Sequence, residues 1–362
     1  MPSIKKLLTI KGNNYTKLTK LFKREAGLDI VKDGYNKKIP LKKSCSIIIP
    51  FYANYSSLKR NLTSLLYQDL LSDFKRNKTE IIIVDGGSST NLKNLFKPIQ
   101  RFYPITYLKL KKNYGRATAR NLGLLYARNE IIFFLDEDIV VPKDFLATHL
   151  LRHQFIDNCI IVGFRHNVSL REFNSKPDNS KQKILRRPNY RKDFRYKRFV
   201  PKEWKVIHRN IPYKNFNKTY YILKESNYFK KFGRGKIIGI WDLPYMFLTC
   251  SASVPRKHVL EVGGFDMRFK GWNLEDTYLG AKLISRGLYL IPNLHATVYH
   301  LIKEIKESLT GRYQREKIKE YKKNVKLYNK LKNENVDFYT ENEWREKMKK
   351  YFVNKFIDKT KL

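Results

Sequence analysis

The chain has 362 residues, with 74 Lys and Arg against 33 Asp and Glu, giving a formal net charge of +41. An apolar fraction of 42%, with 22 Phe and 24 Tyr, is ample for a sizeable core in one large domain or two modest ones. Cys45, Cys159 and Cys250 fit neither a metal-like spacing nor a disulfide framework, so they are expected as small buried apolar residues of a reducing compartment.

Residues 1–33 lack the apolar run of a signal peptide. The most membrane-like stretch, Ile237 to Val254, is interrupted by Asp242 and Pro244, so no spanning helix is expected. The charge suggests an anionic partner. A composition rich in Lys, Asn, Ile, Tyr and Phe, as biased codon use produces, accounts for much of that excess.

In chain order, residues 1–43 are basic and irregular, with a short helix expected around Tyr15–Arg24. Four apolar strands follow. Cys45–Ile49 ends at Pro50, and Ser56 caps a helix that buries Leu58, Leu62, Leu65, Leu66 and Leu70. Glu80–Val84 leads into the turn Asp85-Gly86-Gly87-Ser88. Ile105–Leu110 is the third strand. Gly115–Arg128 reads as a helix whose Ala117, Ala119, Gly123 and Ala127 permit close packing. Ile131–Leu135 is the fourth strand and runs into Asp136-Glu137-Asp138. Continuous apolar strands alternating with helices predict an α/β fold, with a mostly parallel sheet covered on both faces and its strand ends gathered on one edge.

Residues 165–236 are basic, interleaved with Tyr and Phe, and read as loop-rich. Structured core resumes at Ile237 and continues through His300. The tail, 303–362, is helical in pattern, with Ile305, Leu309, Tyr313, Ile318, Tyr321, Val325, Tyr328 and Leu331 on one stripe.

Acids are scarce here, so their positions carry weight. Asp136 and Asp138 point the same way in an extended chain and can converge on one divalent cation. The alternative is a polar turn closing a strand. Arg116 and Arg120 share a helical face near that helix's N-terminus, where anions bind, or form a solvated basic face. Gly263-Gly264-Phe265-Asp266 precedes Gly271-Trp272-Asn273-Leu274-Glu275-Asp276. Asn273 is the expected N-cap of a helix reaching Arg286. Glu275 and Asp276 then either offset its dipole or expose one carboxylate as a general base. Trp272 offers a face for a sugar ring. His300, after an alternating strand, can add nitrogen to an oxygen site suited to manganese or magnesium.

In this order and at these separations the segments resemble a GT-A glycosyltransferase of the family 2 type. Ser46–Tyr52, Val84–Ser88, Gly115–Asn121, the Asp136–Asp138 Asp-x-Asp motif and the Gly263–Asp276 block carry the resemblance. That last block is also similar to the carboxyl half of polypeptide N-acetylgalactosaminyltransferases and of chondroitin-polymerase-like enzymes. The resemblance covers roughly residues 45–300.

The resemblance implies a GT-A fold, a Rossmann-like sheet with helices on both faces, plus a C-terminal helical extension. The domains expected are a basic extension (1–43), a catalytic domain (44–302, with a nucleotide-binding half 44–140 and an acceptor-binding half 141–302) and a basic amphipathic tail (303–362). It implies a hexosyl- or N-acetylhexosaminyltransferase that takes a nucleotide sugar, a UDP-sugar above all, with Mn2+ or Mg2+. The acceptor is a carbohydrate or glycoconjugate hydroxyl in bacterial surface polysaccharide synthesis.

By the same resemblance Pro50, Phe51 and Asn54 lie beside the nucleotide, and Asp85 contacts uracil or ribose. Arg116 or Arg120 stands near the diphosphate or supports the loop around it. Asp138 and His300 ligate the metal, with Asp136 on the ribose or in the metal shell. Asp276 is the base of an inverting transfer, and Glu275 holds sugar hydroxyls. Segment 165–236 is a candidate to close over the donor.

A retaining enzyme of the same fold is the nearest alternative. A nucleic-acid-binding protein leaves the acids at three element ends unexplained, and no nucleic-acid partner is expected. A non-catalytic sugar-binding protein would not need a competent residue at every matched acidic position. Nucleotidyl transfer normally needs a glycine-rich phosphate loop, which Pro50–Ser57 lacks. The tail is expected to pack on the catalytic domain or a second subunit, or to rest on a membrane surface. The location expected is cytoplasmic, with the inner membrane face as the peripheral variant.

Overall fold

The structure, a computed structural model, describes residues 15–89, 91–174, 188–193, 195, 237–238, 241–271, 273–302, 311–335 and 337–361. Helix α1 (Tyr15–Ala26) precedes β1 (Cys45–Phe51), α2 (Tyr55–Leu66), α3 (Ser72–Lys78), β2 (Thr79–Asp85), α4 (Lys93–Gln100), β3 (Ile105–Leu110), α5 (Arg116–Tyr126) and β4 (Ile131–Phe134). Then come β5 (Ile139–Val140), α6 (Phe145–Phe155), β6 (Cys159–Val162), β7 (Arg165–Ser169) and α7 (Leu170–Asn174). The remainder holds β8 (Ile237–Ile238), β9 (Trp241–Asp242), β10 (Ala252–Pro255), α8 (Arg256–Glu261), α9 (Glu275–Ser285), β11 (Tyr289–Pro292), β12 (Val298–Ile302), α10 (Gly311–Leu331), α11 (Glu341–Phe352) and β13 (Phe356–Lys361).

The central sheet has eight strands in the order β11-β6-β10-β4-β1-β2-β3-β13. Strands β4, β1, β2 and β3 are mutually parallel, and β11 is parallel to β6. Strand β10 runs antiparallel between β4 and β6, and β13 antiparallel along β3. Side chains alternate across the sheet. Ile48, Ile82, Val84, Leu108, Ile132 and Phe134 enter one core, while Ile47, Ile49, Ile81, Ile83, Ile131 and Phe133 enter the other. This explains why β1 and β2 are continuous apolar runs: both faces are covered, so every residue of each strand is buried.

Helix α5 lies close on the sheet because Gly123 sits against Ile48 and Val84, where a Cβ would come within 2.5 Å of Ile48 Cγ2. The three cysteines are buried and unbridged. A second, three-stranded sheet, β5-β12-β7, stands beside the large one.

Several local expectations are corrected. The cap of α2 is Asn54, whose side chain accepts from Ser57 N, rather than Ser56; β1 continues through Phe51 and the helix starts two residues earlier. Asn273 does not cap α9. Asn273 and Leu274 both have positive φ, 83° and 76°, and Asn273 Oδ1 accepts from the next amide instead. Glu275 and Asp276 therefore take the first two helical positions.

In the tail, Tyr328 and Leu331 are buried while Ile318 and Tyr321 are exposed, so the expected stripe is covered only towards its C-terminal end. Ile305 and Leu309, and most of 165–236, lie outside the described residues. Helix α11 carries a capping box between Thr340 and Glu343 and buries Trp344, Met348 and Phe352 in the main core. Among the described residues no helix is long and apolar enough to cross a membrane.

Candidate active site

The parallel strands deliver their carboxyl ends to one edge, and a cleft of about 260 Å³ opens there. Pro50 and Phe51 from β1, Tyr52 just after it and Gly86 after β2 form one side. Asn113, Gly115 and Arg116 bring the N-terminus of α5 to it, with free amides and a cation suited to an anion. Asp136, Glu137 and Asp138 follow β4, and Arg165 and His300 come from the small sheet.

The small sheet explains how residues far apart in sequence meet. Strand β12 pairs with β5 so that His300 lies opposite Ile139, and Leu301 N donates to Asp138 O at 2.9 Å. His300 Nε2 thereby stands 3.4 Å from Asp138 Oδ2. On its other side His300 Nδ1 lies 3.0 Å from Asn167 Oδ1, which fixes the ring with Nε2 towards the carboxylate. A ring nitrogen and a carboxylate oxygen face each other, and Asp138 Oδ1 is buried with no hydrogen-bond partner. Such an arrangement suits a cation of borderline hardness. Among the described residues no group of three or more His, Cys, Asp and Glu side chains could hold a metal, so any cation here needs further ligands from solvent or substrate.

Behind the cleft lies a buried charge cluster. Arg120, 1% exposed, donates to Asp136 Oδ1 at 2.6 Å and to Glu275 Oε1 at 3.0 Å. Arg116 approaches the same Glu275 oxygen at 3.8 Å. Burial would push Asp136 up, but the Arg120 guanidinium, with Arg116 behind it, holds it below the usual carboxylate range. Asp276 has no such clamp. Burial and the neighbouring Glu275 charge push it up to about 7, against the pull of Arg120. Glu137, whose carboxylate accepts from Tyr52 N at 2.8 Å, is pushed by burial and the flanking aspartates to about 8.

Asn121 completes the frame. Its amide donates to Phe265 O and accepts from Phe265 N, tying the Gly263-Gly264-Phe265 turn to α5. A Cβ on Gly264 would fall 2.6 Å from Asn121 Oδ1, and Phe265 in turn lies under the Arg120 guanidinium.

The structure thus brings Pro50, Phe51, Arg116, Asp136, Asp138 and His300 together in one cleft. Several expected contacts differ. Asp85 is fully buried and does not line the cleft, because its oxygens accept from Ser88 N, Ser88 Oγ and Tyr107 OH; it shapes the loop carrying Gly86. Arg120 is sealed between carboxylates, which leaves Arg116 as the arginine of the pair that lines the cleft. Glu275 spends an oxygen on the two arginines instead of offering it freely to a sugar. Asn54 caps α2 and is not part of the lining, and Trp272 lies outside the described residues. Tyr52, Asn113, Glu137 and Arg165 line the cleft without having been singled out. Tyr52 was legible as the last residue of the Ser46–Tyr52 motif, and Asn113 stands two residues before the Gly115–Asn121 motif.

Residues 46–216 match the family model described as glycosyl transferase family 2. An uncharacterized glycosyltransferase, YfnE, of Bacillus subtilis is 28% identical over 262 residues, covering 67% of this chain and 61% of that protein. The chondroitin synthase of Pasteurella multocida is 24% identical over 76% of this chain and 26% of its own length. The chain therefore spans less than two thirds of these relatives. Among solved structures, the mannosyltransferase PcManGT from Pyrobaculum calidifontis, in complex with GDP-Man and Mn2+, superposes with a TM-score of 0.50 at 14% identity, over 92% of this chain and 76% of that one. S. aureus TarS in complex with UDP gives the same score at 14% identity, over 86% and 71%. Both likenesses are of fold.

Proposed function

We propose that this chain, a glycosyltransferase of the family 2 type with a GT-A fold, moves a sugar from a nucleoside diphosphate donor, UDP-linked above all, to an acceptor hydroxyl in bacterial polysaccharide or glycoconjugate synthesis. The observation that carries the reading is the pairing of a buried, unpartnered Asp138 oxygen and His300 Nε2 with a cationic helix N-terminus across one cleft. A stacking surface for a base is available on the Pro50–Tyr52 side, and the exposed Tyr52 ring is its outermost part.

Asp138 and His300 would hold a divalent metal, with Asp136 in its outer shell or on the ribose. When bound, the metal neutralises charge on the leaving diphosphate. Arg116 and the α5 amides offset the remaining charge from the other side. Asp276 takes the proton of the acceptor hydroxyl, and its raised affinity for that proton suits it to a base working near neutrality. The activated oxygen attacks the anomeric carbon opposite the leaving group, with inversion. Arg120 orients both acids without entering the reaction.

A thermal-shift panel of UDP, GDP and their sugars with Mn2+ or Mg2+ tests this reading. Stabilisation that needs nucleotide and metal together is expected. A panel in which no nucleoside diphosphate changes the melting temperature would sink it.

A further inference from the structure

A second cavity, of about 470 Å³, opens where the Gly263–Arg268 turn and α9 meet residues Glu334 to Tyr351. It shares no lining residue with the donor cleft. Helix α9 connects it to the catalytic pair: Asp276 lies in the first turn, and Lys282 follows about 9 Å along the axis at 1.5 Å per residue.

Its lining is chemically balanced. Asp266, Glu334 and Asp337 are matched by Arg268, Lys282 and Lys347, so the formal charge cancels. Lys282 is 8% exposed and donates to Val262 O and Gly264 O, both at 2.6 Å. An ammonium has three protons, so one is left over. Arg268 binds Asp266 through two nitrogens at 2.7 to 3.1 Å. Tyr278, Tyr339 and Tyr351 contribute aromatic surface, and Asp337 and Lys347 stand exposed at the rim.

A cavity without net charge gains little from a strongly charged guest. Cationic donors beside anionic acceptors suit groups that both give and accept a hydrogen bond, and tyrosine walls suit apolar C–H faces. A pyranose ring carries both, and the volume lies within the range of small-molecule sites. We infer that this cavity is a second carbohydrate-binding site, which holds a neutral oligosaccharide segment of the acceptor beside the catalytic helix. The identity of the occupant as acceptor rests on the glycosyltransferase reading above.

Saturation-transfer NMR on the full chain tests it, with maltotriose, laminaritriose and triacetylchitotriose as probes. Transfer to at least one trisaccharide is expected, unchanged by saturating UDP and Mn2+ and unchanged in Asp138→Asn. The double variant Asp337→Ala/Lys347→Ala removes two charged partners and should weaken the Kd about tenfold or more. No transfer to any of the three overturns the inference. So does transfer that UDP abolishes, or that the double variant retains at full affinity. The UDP-dependent thermal shift in the same samples reports the donor cleft separately, so the two readings fail distinguishably.

Discussion

Asp136 and Glu275, one at the end of the fourth strand and the other in the first turn of α9, grip two nitrogens of a single buried guanidinium, that of Arg120. The end of β4 and the first turn of α9 are thus held at fixed separation by one side chain. Arg120→Met would leave both carboxylates buried without their countercharge. Breaking a buried pair costs about 3–5 kcal/mol, so the denaturation midpoint should fall sharply. A midpoint within experimental error of wild type would mean the clamp is dispensable.

Asp138 illustrates the opposite case. Its Oδ1 is buried with no protein partner, and its Oδ2 meets the protein through His300 Nε2 at 3.4 Å, so little of the fold rests on this carboxylate. Asp138→Asn is expected to leave the melting temperature of the free protein unchanged or slightly raised. The same variant should lose the metal-dependent shift with UDP. Retention of that shift at wild-type metal concentration would remove Asp138 from the ligand set.

For Asp276→Asn, donor binding should persist while transfer falls by about 10²–10⁴-fold, the usual size of a general-base contribution. Wild-type transfer should decline as pH drops through about 7, where Asp276 takes up its proton. Full activity in the variant, measured as sugar transferred per unit time, would assign the base elsewhere.

The free protein's stability should bend in both directions with pH. Burial raises Glu137 to about 8 and Asp276 to about 7, from ordinary values of 4.5 and 3.8. A carboxyl raised on folding stabilises fully below its unfolded value and loses that stabilisation as pH rises through the folded value. Buried His149 and His153 act the other way: both are lowered from 6.5 by burial, His153 to about 3, so their contribution is intact above 6.5 and lost as pH falls towards 3. Urea midpoints should therefore peak in mildly acidic buffer, and Glu137→Gln should flatten the alkaline limb. A variant with an unaltered slope between pH 6 and 9 would contradict this.

Helix α11 is part of the core. Trp344→Ala, at a fully buried position, should cost about 3–5 kcal/mol by denaturant titration. A loss below 1 kcal/mol would mean the tail packs only superficially.

The sheet was legible where both faces are buried, because β1 to β4 must then read as unbroken apolar runs. Strand β10, Ala-Ser-Val-Pro, was not, since its place between β4 and β6 is decided by pairing rather than by hydrophobicity. The acids of the site stood out against a basic chain, and their clustering in one region was foreseeable from strand-end logic. Which of them face the cleft was not. Asp85 is captured by Tyr107 from the neighbouring strand, and Arg120 is taken by Glu275 from a distant helix; neither partner is marked by any local pattern. The start of α9 was misread because Leu274 accepts a left-handed backbone that only the tertiary fold can impose.

Strand β13 has a consequence for how the molecule is made. It completes the sheet by lying along β3, which precedes it by roughly 250 residues. At 5–20 residues per second, a ribosome needs on the order of 10–50 s to synthesise the intervening chain. Throughout that interval β3 presents an unpaired edge, a template for association with any other nascent strand. Yield in a cell should therefore depend on elongation speed and on chaperones that shield the growing chain, independently of how stable the finished protein is.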